Sequence, residues 1–563
     1  MINNINNFLL FVNIYLYAKI SMTEYLSENP LLLLILVISL GYMAGNIKIK
    51  GTGLGTAAVL FVGLLFGAMN ENFSVPDIIF EIGIVFFVYT VGIKSGPAFF
   101  ESFSKNGWRD IIFIFLMLLV SAAITVAIYY VMDYDKATVV GIYSGSSTNT
   151  TALASVIDLI NMRGGNHKGD IQSLVVGYTF SYPMGVLGVM IAIKIMEKFL
   201  KIDYQSEKKI LRKDYPIDED LTSRAIEITN PEISKMQIRD IIKEHNWNIV
   251  FGRIDSKIHG TVLSNYDLTL HTGDTIIVVG THEELDQVES VLGVEAINSL
   301  TYDRKEFDIV RIFVSNADVV GKELSSLNIT EKFQAVITRI RRGDVEMLAK
   351  PDTILELGDR IRFVARRKDI KGIQQIFGDS YYAASKIDLF SFGIGIAMGL
   401  LLGLIEFHLP GGLVFKLGFA GGPLVVGLIL GAMRRTGPIV WSLPYGSNVT
   451  LNQLGLSFLL AVIGIKSGHT LIESLSDGAW VGIFLTGTFL SIISAMLSLW
   501  VGYKLIQIPY SLLLGFVANQ PAILEFANDI TKNRVPSIGY SFMFPIALIM
   551  KILFAQLLYL MLT

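Results

Sequence analysis

The chain has no cysteine and few charged residues. The absence of Cys from 563 residues excludes a disulfide scaffold and a thiolate metal site. Charged residues make up 17% of the chain and hydrophobic residues 52%, whereas soluble proteins are roughly 25% charged. The net charge of −3 excludes a strongly charged disordered chain and gives no sign of a basic nucleic-acid-binding surface. An integral membrane protein is the class that remains.

The few charges are concentrated in the middle of the sequence. Residues 201–380 hold 57 of the 95 charged residues, so two apolar blocks flank one soluble block. In the N-terminal extension, segment 8–20 is too short to span a bilayer. Segment 8–20 is interpreted as a short interfacial helix or, because Met22 would be a natural start, residues 1–21 are interpreted as absent from the native protein. The predicted domains are the extension at 1–29, transmembrane repeat 1 at 30–200, soluble modules at 204–300 and 301–383, and transmembrane repeat 2 at 385–563.

Six apolar segments lie on each side of the soluble block, and most approach the ~20 residues that a helix needs to cross the hydrocarbon. The segments before the block are 30–45, 54–69, 76–94, 110–132, 138–160 and 172–195. Those after it are 387–407, 411–432, 450–466, 479–505, 509–530 and 537–562. The sequence therefore predicts an α-helical polytopic membrane protein with an α+β insert.

The two apolar blocks share four short motifs in the same order. The matched pairs are GLLFGAM at 63–69 with GLILGAM at 427–433, GIKSG at 92–96 and 464–468, NTTAL at 149–153 with NQPAI at 519–523, and GYTFSYP at 177–183 with GYSFMFP at 539–545. Small residues are common in membrane helices because they allow close packing, so one such match would be weak. Four collinear matches with offsets of 362 to 372 residues indicate a duplication.

The charges of the loops constrain the topology. Cytoplasmic loops carry the excess of Lys and Arg, and six full crossings before a cytoplasmic insert would place Lys94, Lys105 and Arg109 outside. The conflict disappears if segment 138–160 is a re-entrant hairpin, broken at the polar run 144–151. Irregular backbone at membrane depth is tolerated where protein or a wet cavity surrounds it.

The second half then contains a matching hairpin at 509–530, which enters from the opposite face. Each half has an odd number of crossings, about five, so the two repeats are predicted to be inverted, as in secondary transporters. The alternative is twelve crossings with unwound helices. The hairpin interpretation places residues 204–383 in the cytoplasm and both termini outside.

The soluble block is predicted to fold as two α+β modules. Each contains a turn followed by a strand, LHTGDTIIVVG at 270–280 and LELGDRIRFVA at 355–365, and each closes with an amphipathic helix. The two Gly-Asp pairs are 85 residues apart. The histidines are scattered, and neither a metal cluster nor a phosphate-binding glycine loop is visible in the sequence. We therefore expect regulation, ligand sensing or dimerisation here rather than catalysis.

These features together resemble a known family. Two permease regions, each with GIKSG and a polar break, flank paired soluble modules. This arrangement resembles the aspartate–alanine antiporter (AspT) family, also called the YidE/YbjL duplication family, and the modules resemble TrkA C-terminal (RCK_C) domains. The resemblance covers most of the chain. It implies exchange of small amino or carboxylic acids by a homodimer in the bacterial inner membrane, with the modules in the cytoplasm.

The sequence departs from the family pattern at both breaks. The family usually has Thr-x-Thr-Pro-Ala-Leu in each half. The first break here, TNTTAL at 148–153, has no proline, and the second, ANQPAI at 518–523, has neither threonine. We therefore expect substrate contacts that differ from the family's, so the sequence does not assign aspartate as the substrate.

The breaks supply the candidate substrate contacts. A helix end exposes N–H groups with a positive partial charge, which suits a carboxylate, and the alternative role is interhelical hydrogen bonding. The candidates at the breaks are Ser144, Ser146, Ser147, Thr148, Asn149, Thr150, Thr151, Asn519, Gln520 and Pro521. Lys94 and Lys466 of the two GIKSG motifs are candidates for attracting an anionic substrate, or else they snorkel to the interface. Asp158, Glu525 and Asp529 are candidates for binding a coupling ion or proton.

Two classes of transporter compete. The first is an antiporter of small anionic or zwitterionic solutes, with no cofactor or metal and with a regulatory ligand or ion on the modules. The second is a monovalent cation (K⁺) transporter or cation/proton exchanger, which the TrkA-type modules suggest. The neutral breaks with nearby lysines favour the first, and no TVGYG-type filter is present in the sequence. The sequence contains neither an HExxH nor a GxSxG motif, so it gives no sign of a membrane enzyme.

Overall fold

The computed structural model describes residues 23–47, 55–104, 107–162, 168–204, 207, 221–245, 247–258, 260–296, 307–343, 345–408, 414–476, 478–533 and 535–562. Most of the predicted N-terminal extension, including segment 8–20, lies outside these residues. The chain forms two compact units. The first comprises the described parts of Met1–Pro216, Gly393–Ala432 and Thr450–Thr563, and the second comprises those of Ile217–Phe392 and Met433–Val449.

Most of the described chain is helical. The helices are α1 Pro30–Gly45, α2 Ala58–Met69, α3 Asp77–Ser104, α4 Gly107–Met132, α5 Lys136–Ser146, α6 Thr150–Met162, α7 Lys168–Leu200, α8 Ile238–His245, α9 His282–Leu292, α10 Ile329–Phe333, α11 Ile370–Phe377, α12 Tyr381–Ser385, α13 Leu389–Gly403, α14 Gly418–Met433, α15 Tyr445–Ser476, α16 Ala479–Lys504, α17 Tyr510–Val517, α18 Pro521–Thr531 and α19 Val535–Met561. Among the described residues, six helices are long and apolar enough to cross a membrane. The prediction of a polytopic helical membrane protein is confirmed at this level.

The strands are short. They are β1 Thr222–Ile228, β2 Val250–Ser256, β3 Gly260–Leu263, β4 Thr275–Gly280, β5 Gly293–Glu295, β6 Phe307–Phe313, β7 Val336–Arg342, β8 Val345–Leu348, β9 Arg360–Arg366, β10 Glu406–His408, β11 Val414–Lys416, β12 Arg435–Thr436 and β13 Ile439–Val440. The hairpins β10–β11 and β12–β13 each form a two-stranded sheet.

The repeated motif GIKSG lies where helices of the two sequence repeats cross. A Cβ atom at Gly92 in α3 would lie 2.6 Å from the carbonyl oxygen of Leu424 in α14, and one at Gly464 in α15 would lie 2.5 Å from that of Leu60 in α2. The helices α3 and α15 also cross each other, where a Cβ at Gly83 would lie 2.9 Å from a backbone carbonyl of α15. Only glycine permits these approaches, so the glycines of the motif account for its repetition.

Helix α5 lies alongside α7 and runs in the same direction. A Cβ atom at Gly141 would lie 2.1 Å from the carbonyl oxygen of Leu174, and one at Gly145, a turn later in α5, would lie 2.4 Å from that of Tyr178. Gly185, further along α7, meets the last turn of α5. Helix α5 therefore ends beside the middle of α7. Because α6 then leads to the start of α7, the chain returns to the end of α7 near which α5 began.

Helix α17 lies alongside α19 in a similar way. A Cβ atom at Gly515 would lie 2.1 Å from the carbonyl oxygen of Pro536 near the start of α19, and Asn519, just beyond α17, contacts Lys551 further along α19. The start of α17 lies beside the C-terminal half of α7, since the Tyr510 hydroxyl donates to a carbonyl there at 3.0 Å. Helices α5 and α17 therefore approach the middle of α7 from opposite ends.

The second unit contains two sheets, of five and four strands, in the region where the sequence predicts two α+β modules. Their strand orders are β3-β2-β4-β1-β5 and β8-β7-β9-β6, so β1–β4 correspond in order to β6–β9. Neighbouring strands are antiparallel. Each sheet has its own buried aliphatic core.

The two Gly-Asp pairs form equivalent turns before β4 and β9. Gly273 and Gly358 have φ angles of +87° and +88°, which glycine adopts without a steric penalty. The carboxylates of Asp274 and Asp359 are buried and accept the backbone N–H of the residue three positions earlier, at 2.9 and 2.8 Å. Asp359 also accepts from Nε and Nη2 of Arg342, at 2.8 Å each.

The loop between α14 and α15 belongs to the second unit. Nη1 of Arg435 in this loop donates to the carbonyl oxygens of Ala317, Asp318 and Val320, at 3.1 to 3.3 Å. Val440 packs against the core of the second module. The loop between these two helices is therefore part of the fold of the second unit.

Candidate substrate-binding site

The first break separates α5 from α6 at residues 147–149. Thr148 has a φ angle of +48°, a conformation that costs energy for a residue with a branched side chain. Asn149 caps α6, because its Oδ1 accepts the N–H of Ala152 at 3.0 Å. Among the described residues, the Tyr143 hydroxyl, Ser144 Oγ and Thr148 Oγ1 are buried without a hydrogen-bond partner. Buried polar atoms are normally paired, so these three are unusual, although none of the three residues lines the cavity described below.

The second break separates α17 from α18. Pro521 occupies the first turn of α18, and Gln520 before it has an extended backbone with φ −157°, as expected before proline. Gln520 Oε1 accepts the hydroxyl of Tyr182 in α7 at 3.0 Å. At the first break, the hydroxyls of Thr150 and Tyr178 are 2.7 Å apart, and the rings of Tyr178 and Tyr182 are 5.3 Å apart. The breaks lie where the sequence predicts them, and both reach the middle of α7.

A cavity of about 80 Å³ contacts both breaks. Its lining residues are Phe113, Ile114, Met117, Leu118, Ser121, Ser146, Ser147, Val189, Leu490, Ser491, Ser494, Ala495, Ser498, Phe516, Val517, Asn519, Ala547 and Lys551. Hydroxyl and amide groups supply most of the polar lining, and none of these residues is acidic. The cavity therefore combines one cationic group with neutral polar groups and apolar walls.

Lys551 is the functional candidate that the sequence interpretation missed. It is 5% exposed, and its Nζ lies 2.5 Å from Oδ1 of Asn519. Among the described residues, no carboxylate lies within ion-pair distance of this ammonium. A lysine inside an otherwise apolar segment is costly and usually functional, so the single Lys in IALIMKILF at 546–554 is the signal that identifies the residue.

The cavity is not symmetric between the repeats. The position equivalent to Lys551 in the first repeat is Val189, 362 residues earlier, the offset of the GYTFSYP and GYSFMFP motifs. Both residues line the cavity. Asn149 and Asn519 occupy equivalent break positions, yet Asn149 caps its own helix whereas Asn519 accepts from the lysine. The positive charge of the site therefore comes from the second repeat.

The other predicted residues lie away from this cavity. Lys94 is exposed, and Lys466 is 40% exposed and pairs with Asp77. Asp158 is buried, and its carboxylate accepts the N–H of Phe419 in the first turn of α14 at 2.7 Å, which stabilises a helix N-terminus.

Glu525 and Asp529 are exposed residues of α18. The structure thus brings Ser146, Ser147 and Asn519 to the cavity. The predicted lysines and carboxylates do not line it, and neither do the other break residues, which are Ser144, Thr148, Asn149, Thr150, Thr151, Gln520 and Pro521.

Comparison with known proteins gives the chain's family. A family model described as "Predicted Permease Membrane Region" matches residues 33–198 and 391–560, the two apolar blocks. The chain belongs to this permease family. A TrkA-C domain model matches residues 309–378 of the permease, which is the second module. The predicted resemblance of the first module to the same domain stays a prediction.

Relatives of the permease extend along nearly its full length. It is 42% identical to an "uncharacterized transporter" of Geobacter sulfurreducens, over 96% of this chain and all of the relative. It is 38% identical to one of Symbiobacterium thermophilum, with the same coverage, and 39% identical to one of Corynebacterium diphtheriae, over 94% of this chain and 98% of the relative. The protein is a multi-pass membrane transporter and not an enzyme.

Proposed function

We propose that the permease exchanges small amino acids or carboxylates across the bacterial inner membrane, and that the cavity between the two breaks binds the substrate. The observation that carries the proposal is the buried ammonium of Lys551 in a cavity without acidic lining residues. A buried charge is stabilised by a partner of opposite sign. Asn519 offers only the partial charge of an amide oxygen, so a substrate carboxylate completes the pairing.

The rest of the cavity suits a small solute. Serine hydroxyls from α4, α16 and the end of α5 donate or accept as needed, and therefore contact either the carboxylate or the amino group of a zwitterion. Phe113, Leu490 and Phe516 give apolar walls near the carbon skeleton. The volume of about 80 Å³ favours a solute of amino-acid size in this conformation.

The same lysine argues against a cation transporter. A K⁺ or Na⁺ ion in this cavity would meet the Lys551 ammonium without an acidic residue to offset the repulsion. The predicted coupling-ion residues Asp158, Glu525 and Asp529 remain candidates for a proton or ion pathway outside the cavity.

We also propose that the two repeats are inverted and that each break is the tip of a re-entrant hairpin. The parallel packing of α5 on α7 and of α17 on α19 supports this, because α6 and α18 then return the chain to the end from which it came. The approach of α5 and α17 from opposite ends of α7 supports the inversion. Alternating access then moves the elements carrying the two breaks relative to the remaining helices.

The hairpin topology makes a labelling prediction. We expect a cysteine at Asn72, between α2 and α3, to react with a membrane-impermeant maleimide added outside intact cells. The native chain contains no Cys, so background is low. A cysteine at Lys504, the last residue of α16, serves as the cytoplasmic control and should react only after the membrane is permeabilised. Labelling of the Asn72→Cys variant from the cytoplasmic side alone would contradict the model.

Exchange itself is tested with the purified protein in liposomes. We expect vesicles preloaded with unlabelled aspartate, alanine, glutamate or succinate to accumulate at least one of the labelled solutes by counterflow, since an antiporter requires a substrate on each side. Empty vesicles and protein-free vesicles are the controls. Movement of K⁺ or Rb⁺ without any organic solute would refute the proposal and favour the cation alternative.

The proposals for assembly and regulation rest on the resemblance to the aspartate–alanine antiporter family. We propose a homodimer, with residues 204–383 in the cytoplasm and both termini outside. The second module, which matches the TrkA-C domain, is the natural place for a regulatory ligand.

A further inference from the structure

A second cavity lies between the two modules of the soluble unit, and three arginines line it. Its lining residues are Ser223, Gly252, Arg253, Ile277, Val279, Ile309, Thr338, Arg339, Arg362 and Val364. We refer to it as the arginine cavity. It has a volume of about 40 Å³, whereas a single water needs roughly 10–15 Å³ on this measure. The space therefore fits a group of a few heavy atoms.

The arginine cavity is built from equivalent positions of the two modules. Arg253 on β2 corresponds to Arg339 on β7, 86 residues later, and each follows a residue at which its strand shifts register. The other lining residues pair in the same way, at offsets of 85 or 86 residues. The two modules thus contribute matching surfaces, and the guanidinium groups come from both.

Two of the three arginines are buried, and Arg339 lies directly opposite Arg362 in the sheet. Arg253 and Arg339 are 3% and 7% exposed. Nη1 of Arg339 donates to the carbonyl of Leu221 at 2.6 Å and to Glu346 at 3.2 Å, while its Nε is buried without a hydrogen-bond partner. Arg362, on the neighbouring strand β9, has no carboxylate within 4 Å among the described residues.

The charges around the arginine cavity favour an anionic ligand. Burial and the neighbouring positive charges of Arg339 and Arg311 lower the pKa of Arg362 below its usual range. Like charges repel strongly where water is scarce. Guanidinium groups match the geometry of phosphate and carboxylate oxygens, so an oxyanion between them relieves the repulsion and satisfies the free N–H.

We propose that the arginine cavity is a binding site for a phosphate-sized oxyanion, either free or as the phosphate group of a small ester. Arg339 supplies its free Nε–H to the oxyanion. Arg253 and Arg362 supply positive charge from the other module and from the neighbouring strand β9. The hydroxyls of Ser223 and Thr338 border the same space.

The test is equilibrium dialysis of the full-length protein in detergent with radiolabelled inorganic phosphate, at constant ionic strength maintained with chloride. We expect saturable binding of one phosphate per chain, and at least about a tenfold weaker affinity in Arg339→Gln, since a hydrogen bond to a charged group is lost. Arg239→Gln is the matched control. It removes the same charge from an exposed ion pair with Asp267 and should bind as the parent does.

A second variant and a competition experiment extend the test. Arg362→Gln leaves every described hydrogen bond of Arg339 in place and should also weaken binding, which guards against misfolding of the first variant. Glycerol phosphate competing better than inorganic phosphate would support an ester as the ligand, and the reverse would support the free anion. No saturable binding, or equal affinity in both cavity variants and the parent, would overturn the proposal. The dialysis measures phosphate binding and not transport. A negative result would therefore leave the proposed exchange function unaffected.

Discussion

Replacing Lys551 with methionine reduces carboxylate counterflow at least about 100-fold, if the buried ammonium pairs with the substrate. Removing one member of a buried ion pair typically costs 3–5 kcal/mol, and each 1.4 kcal/mol corresponds to a factor of ten. Methionine retains the length and packing of the side chain without the charge, so the protein should still reach the membrane. The measurement is initial counterflow in proteoliposomes containing matched amounts of protein.

The controls for this prediction come from the chain itself. Lys466→Met removes the same charge from a lysine that is 40% exposed and paired with Asp77, and we expect less than about a threefold change because exposed pairs contribute little. Lys551→Arg keeps the charge and should retain more activity than the methionine variant. Counterflow that survives unchanged in Lys551→Met would remove this lysine from the substrate site.

Replacing Asp359 with asparagine should destabilise the second module by up to about 3–5 kcal/mol, since it removes the bidentate partner of the Arg342 guanidinium and leaves Glu356 as its carboxylate partner among the described residues. The Asp359 side chain is fully buried, and Arg342 donates to both of its oxygens. Hydrogen–deuterium exchange of the full-length protein in detergent measures the effect, as faster exchange in the peptides that contain β7 and β9.

The equivalent turn in the first module provides the comparison. Asp274 makes the same backbone contact as Asp359, but no arginine pairs with its carboxylate among the described residues. Asp274→Asn should therefore cost only about 1–3 kcal/mol, from weaker hydrogen bonds to backbone N–H. If Asp359→Asn and Asp274→Asn accelerated hydrogen exchange equally in their modules, the ion pair with Arg342 would add no stability to the second module.

The sequence predicts much of the architecture because its signals are local. Apolar runs of membrane length, the polar stretch SGSSTNTT, and Pro521 within an apolar segment each determine nearby structure without information about distant residues. The paired Gly-Asp turns are local in the same sense. They predict two related modules, and the strands β1–β4 and β6–β9 have the same order in their two sheets.

The contents of the site are harder to predict because they depend on contacts across the chain. Lys551 is a single charge in an apolar helix, and nothing in the sequence indicates that it faces Asn519. In contrast, Lys94 and Lys466 attract attention because their motif repeats, yet it is the glycines of GIKSG that make the close helix contacts. A repeated motif identifies equivalent positions, and the structure is needed to assign a role to each of its residues.

The loop between α14 and α15 changes how the soluble part of this protein can be handled. The chain passes between the two units four times, near residues 216, 392, 432 and 449. Excision of residues 217–392 would therefore leave Arg435 and Val440 in the loop without the carbonyls and core that they contact. Such a deletion tests a damaged loop as well as a missing domain. A cleaner way to separate the two units is to cleave the chain at one of the four connections at a time, and to measure whether the fragments stay associated.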